Sequence, residues 1–456
     1  MLTWLAPVVL GVSAAIGSNG AVAGVGRASS QDSPGTSPEA AQAVPAEDEP
    51  EEPAPAAATS AESQPASRWR PFDLDAPTAT GDWGGVRNRL EEAGIRFNLF
   101  YNQQFQSVVR GGLDTNGHGR GSGSIDAFLS FDLSRHSPEW TAELLLHGQR
   151  NWGRGVNPRT GALSEVNDDA DGRLELHVAQ LWYRHRFWDG RVSLMLGFLD
   201  YQTIVDRNAY ANSEDKQFWN QSLDNNPFLP LAIGLGAALT VRPCEWYTLI
   251  VGAADAQSVI SKPGFSTAFH DEDLFRAYFE NDFHVTIDSP RGPLAGDYRV
   301  GLMYDPIQRS IFPRHREKPR SGGNNAILYA NFDQQVYRES ADDDQGLGLF
   351  ARFGYRNPER YRTSHFWSAG LSYTGLVPTR DQDVLGLGFA VQRASHVYRH
   401  RADDKADNEV VYELYYAVRV SDWCWITPDV QYVANPGAAG DVQHALAAGV
   451  RLRLSF

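Results

Sequence analysis

The chain has 456 residues, a formal net charge of −15 and two cysteines, and Phe, Trp and Tyr make up 11% of it. The negative charge argues against nucleic acid as a partner, because such binding depends on Lys and Arg that neutralise phosphates. After the N-terminus no run of about 18 or more apolar residues occurs, which argues against a transmembrane helix in the mature protein. The mean hydropathy of −0.40 still permits a membrane barrel, whose strands alternate lipid-facing with lumen-facing residues.

Residues 1–23 have the features of a secretory signal peptide. An apolar stretch is followed by Ala21-Val22-Ala23, a small-x-small pattern that predicts cleavage after Ala23. The basic residues that usually precede such a stretch are absent, so an anchoring helix or a misplaced start is the alternative. Residues 24–67 consist mainly of Ala, Pro, Ser and Glu. They have too few large apolar side chains to offset chain entropy, which predicts a disordered linker.

Residues 68–96 are predicted to form a short N-terminal segment with one helix. Within GDWGGVRNRLEEAG, Val86, Leu90 and Ala93 recur at helical spacing, and Gly94 ends the pattern. The helix is expected to pack against the structure that follows.

From Phe97 to Phe456 segments of alternating apolar and polar residues follow one another, separated by turn residues. Strand side chains point to opposite faces with period two, so each segment predicts a strand with one apolar face. We count about sixteen strands, including a poorly patterned one at 274–283. The prediction is an all-β fold, a transmembrane antiparallel β-barrel at 97–456. In its last strand one face consists of Leu446, Ala448, Val450, Leu452, Leu454 and Phe456.

Loop lengths support the barrel independently, because outer-membrane barrels have short periplasmic turns and long outer loops. Short connections such as WDG at 188–190 alternate with long ones such as 201–230 and 395–408. The stretch 335–345 departs from this rule, since it is long on the short side. An even strand number places both chain ends, and with them residues 68–96 and their helix, in the periplasm.

Aromatic side chains near the predicted strand ends are typical of girdles at the lipid headgroups. The opposite face of these strands is polar or glycine, which favours girdles over an ordinary core. The apolar face then meets lipid, and the expected location is the outer membrane. Cys244 and Cys424 are expected to be inert thiols, and a disulfide between them in an oxidising compartment is the alternative. The girdle set is Tyr183, Phe187, Trp188, Trp246, Tyr304, Trp367, Tyr412, Trp423, Trp425 and Phe456.

Five pieces, in order along the chain, resemble the carbohydrate-selective porins of the OprB type, over roughly residues 80–456. This resemblance implies a sugar-permeable barrel with an arginine-rich wall and an acid at its constriction. The sequence departs from the family at Phe198, where a lysine is common. The pieces are GDWGGVRNRLEEAGIRFNLFY, LWYRHRFWDGRVSLMLGFLD, GDYRVGLMYDP, GLGLFARFGYRNPE, and a tail from YELYYAVRVSDWCWITPDVQYVANPG to GVRLRLSF.

Because side chains alternate between the two faces of a strand, a set of charged side chains opposite the apolar face is assigned to the lumen. Guanidinium groups donate to sugar hydroxyls and carboxylates accept from them, and a channel needs such contacts weak and repeated. The alternative is that these charges simply solvate a wide lumen. The candidate pore-lining and substrate-binding residues are Arg352, Arg419, Arg451, Arg453 and Glu413 in the best-matching region, with Arg184, Arg186, Arg299 and Glu143.

We therefore expect a porin for passive diffusion of mono- or oligosaccharides, not an enzyme, with no cofactor and no metal. Its partners are carbohydrate solutes and outer-membrane lipid, and it is a monomer or a homotrimer. A general anion-permeable porin is the nearest alternative, because arginines also attract anions. A barrel enzyme or adhesin acting through its extracellular loops is the other. Paired acids can hydrolyse a glycoside, but the sequence has no Ser/His/acid, metal-ligand or phosphate-loop spacing.

Overall fold

The structure is a computed structural model, and it describes residues 72–115, 119–134, 140–170, 172–230, 233–260, 262, 266–269, 274–311, 320–323, 325–401 and 406–456. All of these residues belong to one unit, Pro65–Phe456. The predicted signal peptide and linker lie outside the described residues, as do residues 68–71.

Sixteen antiparallel strands of the described chain close into one barrel, as predicted, in which β1 pairs with the last strand. Closure leaves no unpaired sheet edge, which lipid could not solvate. Two further short strands, β10 and β11, pair only with each other. In chain order the strands are β1 (Ile95–Gly112), β2 (Arg120–Asp132), β3 (Trp140–Trp152), β4 (Leu174–Phe187), β5 (Val192–Asp200), β6 (Ile233–Cys244), β7 (Tyr247–Asp255), β8 (Phe275–Ile287), β9 (Leu294–Asp305), β10 (Arg309–Ile311), β11 (Arg320–Gly322), β12 (Asn325–Arg338), β13 (Gly346–Arg356), β14 (Thr363–Thr374), β15 (Val384–Ala394), β16 (Glu409–Ser421), β17 (Cys424–Ala434) and β18 (Gln443–Ser455).

The described helices are short. They are α1 (Val86–Glu92), α2 (Asn157–Thr160), α3 (Gln221–Asp224) and α4 (His396–Arg401), with 3-10 turns at Tyr201–Thr203 and Pro436–Ala438. In the part of the chain that the structure describes, no helix has the length and apolarity to cross a membrane.

The barrel wall is apolar outside and polar inside. In β18, Val450 on the outer face is 42% exposed, whereas Arg451 on the inner face is 1% exposed. The same alternation runs through β16, where Tyr412 and Leu414 are exposed and Glu413 is buried. The predicted faces are therefore confirmed in these strands, and the polar inner faces contact other parts of the same chain.

Two members of the predicted aromatic girdle are placed elsewhere. Trp423 is buried in the turn before β17, and its Nε1 donates to the carbonyl oxygen of Asp73 at 2.8 Å. Trp425 lies on the inner face of β17, where the Arg419 guanidinium is 5.7 Å from its ring centroid. Both predictions were wrong. They used only the position of each tryptophan near a strand end, and that position does not show whether a side chain faces lipid, the lumen or a turn.

The two barrel ends differ in loop length as predicted. Short turns such as 188–191 and 422–423 lie at one end, and long connections such as 153–173 and 201–232 lie at the other. The apparent exception at 335–345 has a structural cause. A register shift after Gln335 in β12 carries the strand on to Arg338, so the actual turn is only 339–345.

The N-terminal segment is fastened to the short-turn end, which faces the periplasm in outer-membrane barrels. The backbone N–H of Ala79 donates to the Ser455 carbonyl at 2.8 Å. Arg87, in α1, donates from its guanidinium to the Phe456 carbonyl oxygen at 2.8 Å and to that of Phe97 at 3.0 Å. These bonds join the segment before the barrel to both its first and its last strand.

Candidate functional site

Two long connections fold into the barrel instead of projecting from it. We call residues 153–173 (described except at 171) the first inner segment, and residues 201–230 the second inner segment. The first connects β3 with β4 and the second follows β5, yet both reach inward-facing residues of β16. Both therefore lie inside the lumen, against the inner face of the wall.

The first inner segment is held by a wall carboxylate and a wall amide. Glu409 of β16 accepts hydrogen bonds from the backbone N–H groups of Leu163 at 2.7 Å and Ser164 at 3.3 Å. Gln431 of β17 donates to the Val166 carbonyl at 2.8 Å. Buried backbone groups need such partners, because an unmade hydrogen bond costs about 1–3 kcal/mol.

Acids of the wall also hold the second inner segment. Glu413 of β16 accepts from the backbone N–H groups of Trp219 at 2.6 Å and Asn220 at 3.0 Å. On the other side of the lumen, Glu280 of β8 accepts from the Asp206 N–H at 2.7 Å. The segment is thus suspended between two distant strands.

Three wall arginines complete this attachment. Arg352 of β13 is 2% exposed; its guanidinium donates to the Leu223 carbonyl at 2.9 Å and lies 3.2 Å from an Asp206 carboxylate oxygen. Arg451 of β18 donates to the Gln217 carbonyl at 3.0 Å. Arg453 of the same strand donates to the Asp215 carboxylate at 2.5 Å.

Aromatic packing fills the space between this segment and the wall. The ring of Phe218 lies 5.3 Å from that of Phe350 and 5.0 Å from that of Tyr415, edge to face in both cases. The Arg451 guanidinium lies 5.2 Å from the Trp219 ring centroid. A hydrophobic cluster therefore occupies the lumen. The alternation along the strands predicted only polar residues or glycine on the inner faces.

The nine predicted pore residues divide into three groups. Arg352, Arg451, Arg453 and Glu413 face inward as predicted and are buried under the second inner segment, which their side chains bind. The structure therefore assigns these four an anchoring contact that sequence reasoning did not foresee.

Arg299 of β9 also faces inward and is buried, but it binds other wall residues. Its guanidinium lies 2.7 Å from the Asp333 carboxylate, 2.8 Å from that of Asp297 and 3.8 Å from that of Asp282. The three acids lie on β8, β9 and β12, so this cluster ties neighbouring strands together.

The remaining predicted residues lie nearer the short-turn end. Arg184 of β4 forms an ion pair with Glu143 of β3, directly opposite in the register, and each side chain is 27% exposed. Arg186 lies two residues further on the same face, opposite Thr141. Arg419 lies at the end of β16, where it pairs with Asp422 of the turn at 2.7 Å.

Three aspartates of the second inner segment have pKa values that differ from the ordinary value of the side chain. Burial raises the pKa of Asp206, although the nearby Arg352 charge lowers it. Burial also raises the pKa of Asp224 to about 7. For Asp215 burial acts in the same direction, but the charges of Arg453 and Lys216 outweigh it, so its pKa falls below the usual value.

Sequence reasoning missed the inner segments, although one sequence signal pointed to them. The inward positions of β13 and β15 include Gly348 and Gly388. A Cβ at Gly348 would lie 2.0 Å from the Tyr210 ring, and one at Gly388 would lie 3.0 Å from the Phe218 ring. Glycine on a lumen face therefore marks where another part of the chain approaches the wall closely.

Comparison with known proteins agrees with this architecture. The family described as "Carbohydrate-selective porin, OprB family" matches residues 140–456, which is more than half of the chain. The chain belongs to this family. As a member of the OprB family it is an outer-membrane carbohydrate porin, in accord with the closed sixteen-stranded barrel. The matched range includes four of the five resembling pieces, and the piece at 81–101 precedes it.

Individual relatives cover most of the chain. Porin B of Pseudomonas aeruginosa is 24% identical over 424 residues, which are 84% of this chain and 92% of that protein. The putative porin QuiX of Acinetobacter baylyi is 23% identical and covers 82% of this chain and 92% of its own length. The high-pH structure of Pseudomonas putida OprB matches with a TM-score of 0.75 at 21% identity, over 85% of this chain and 100% of that one. At this identity the structural likeness establishes the fold.

Proposed function

We propose that this OprB family member lets neutral mono- or oligosaccharides diffuse passively past the two inner segments, and that it catalyses no reaction. The proposal rests on one observation about the second inner segment. Its backbone is hydrogen-bonded to Glu280 on one side of the lumen and to Glu413 on the other. A segment fixed in this way narrows the barrel to a defined passage. Membership of a porin family supports a channel rather than an enzyme.

The partly exposed wall charges are the groups that we propose to contact sugar. Arg184 donates and Glu143 accepts, so the pair offers both kinds of partner to a hydroxyl. The Arg184 guanidinium also lies 5.1 Å from the Trp182 ring centroid, which adds an aromatic face beside the pair. Contacts with partly hydrated groups are weak, and a solute that must also leave requires weak contacts.

The buried charges have a different proposed role. Because the guanidinium groups of Arg352 and Arg451 already bind carbonyl groups of the second inner segment, we propose that they shape the passage without binding sugar themselves. Their contribution to selectivity is then geometric, since they set where the segment lies.

Conductance in a planar bilayer tests the proposal with purified protein. Discrete current steps that glucose and a maltodextrin reduce in a saturable manner are expected, because a sugar in the passage displaces ions. Steps that respond to neither sugar, together with strong anion selectivity, would establish the general anion porin instead. If the folded barrel gives no current steps, both the sugar porin and the general anion porin are contradicted. An enzyme or adhesin that acts through its extracellular loops is then favoured.

A further inference from the structure

Three carboxylates from the two inner segments converge at one place. Asp168 belongs to the first inner segment, and Glu214 and Asp224 belong to the second. Each contributes an oxygen, and these oxygens lie within 4.8 Å of one another. The segments also meet directly here, since the Asp168 N–H donates to the Trp219 carbonyl at 2.8 Å.

Asp224 carries the observation that points to a ligand. The residue is only 2% exposed, and its Oδ1 atom makes no hydrogen bond of normal length in the described part of the chain, although the Ser213 backbone N–H acts on this carboxylate. The Asn225 amide donates to its other oxygen at 3.0 Å and to Asp168 Oδ2 at 2.7 Å. A buried carboxylate oxygen without a partner is costly, because burial removes its water without replacing it.

The arginines nearest to this cluster bind backbone groups next to it. Arg352 donates to the Leu223 carbonyl at 2.9 Å, and Arg451 donates to the Glu214 carbonyl. Their charges act on Asp224 from a distance. They do not supply a hydrogen bond to its Oδ1 atom.

We propose that Asp168, Glu214 and Asp224 bind one Ca²⁺ ion between the two inner segments. Ca²⁺ takes six to eight oxygen ligands at about 2.3–2.6 Å, so ligand atoms on opposite sides of the ion lie up to about 5 Å apart. The observed limit of 4.8 Å fits one shared ion. Carboxylates binding through one or both oxygens, with water, complete the shell, and Ca²⁺ tolerates such irregular geometry better than Mg²⁺.

The consequence is that the width of the passage depends on whether the cation is bound. An ion held jointly by the first and second inner segments fixes their relative position, in addition to their attachments to the wall. This inference concerns the two segments alone and is independent of which solute passes.

Terbium luminescence on the full-length purified protein tests the site. The protein is freed of metal with a chelator, titrated with Tb³⁺ under tryptophan excitation, and then titrated with Ca²⁺ to displace it. The variants are Asp224→Asn and Asp168→Asn, and the matched control is Glu165→Gln, an exposed acid of the first inner segment outside the cluster. Migration of the unheated barrel on a denaturing gel verifies that each variant is folded.

The expected result is saturable emission that Ca²⁺ abolishes. Folded Asp224→Asn and Asp168→Asn each weaken the apparent Ca²⁺ affinity by about tenfold or more, because a charged ligand is lost, and Glu165→Gln matches the unmodified protein. The proposal is overturned if emission does not saturate, if Asp224→Asn and Asp168→Asn bind as the unmodified protein does, or if Glu165→Gln loses as much affinity as they do.

Discussion

Two parts of the lumen wall carry similar charges but use them differently. On β13, β16 and β18, Arg352, Glu413 and Arg451 are buried and bind the backbone of the second inner segment. On β3 and β4, Glu143 and Arg184 bind each other and remain partly exposed. The difference shows that a lumen-facing charge acquires its role from what covers it. The covered charges hold the second inner segment, and the uncovered pair is the one that we propose to contact the solute.

The largest effect is expected from Arg352→Ala. This change leaves the buried Asp206 carboxylate without its cation and the Leu223 carbonyl without its donor, at a cost of about 3–5 kcal/mol. The second inner segment should detach on that side, so single-channel conductance should rise and sugar should reduce the current less. The control is Arg419→Ala at the barrel end, where the pair with Asp422 is partly exposed and binds no described residue of either inner segment. Equal conductance in both variants would contradict the anchoring role.

Glu413→Gln should have a smaller effect of the same kind. The amide keeps one acceptor oxygen, so one of the N–H groups of Trp219 and Asn220 loses its partner, which costs about 1–3 kcal/mol. Hydrogen exchange of these two amides should accelerate while amides in β17 stay protected. Glu165→Gln is the matched control, and unchanged exchange at Trp219 and Asn220 would show that Glu413 does not hold the segment.

Gly388→Ala tests the close approach of the segment to β15. Its new methyl group would lie 2.9 Å from Leu223 and 3.0 Å from Phe218, and such overpacking costs about 1–3 kcal/mol. The temperature at which the folded form disappears from an unheated-gel series should fall. Gly148→Ala is the control, because its nearest neighbour outside the adjoining residues is 3.9 Å away. A larger fall in the control than in Gly388→Ala would count against close packing at β15.

The smallest effect is expected from Arg184→Ala. A partly exposed ion pair that is still in contact with water contributes about 0–1 kcal/mol, so the barrel should fold normally with nearly unchanged conductance. The sugar concentration that halves the current should rise by about fivefold, which corresponds to the loss of one hydrogen bond of about 1 kcal/mol. Arg184→Lys, which retains the charge, should recover part of the effect. An unchanged sugar response in Arg184→Ala would remove this pair from the solute path.

Much of the wall was predictable because strand geometry is local. Alternation in β18 assigned Val450 to lipid and Arg451 to the lumen from neighbouring residues alone, and the structure agrees. Where the local rule is interrupted, the prediction was wrong. The register shift after Gln335 in β12 hid the end of that strand. Trp425 was assigned to the girdle from its position near a strand end, although it alternates in step with the inward-facing Asp429 and Gln431.

The candidate site was predictable only as a list of inward-facing charges. Whether a charge meets sugar or another part of the chain depends on contacts between residues far apart in sequence. Arg352 and Ala211 are separated by 141 positions, and Arg453 and Asp215 by 238. No local pattern reports such contacts, although inward glycines such as Gly388 indicate that something approaches.

The sequence by itself therefore determined the barrel, its strand faces and its family, because alternation and turns are properties of adjacent residues. The tertiary structure alone decided that two outer connections turn inward and that the second of them covers four of the nine predicted lumen charges. The physical reason is that a buried charge must be paired, and in this lumen the backbone of the inner segments provides many of the partners.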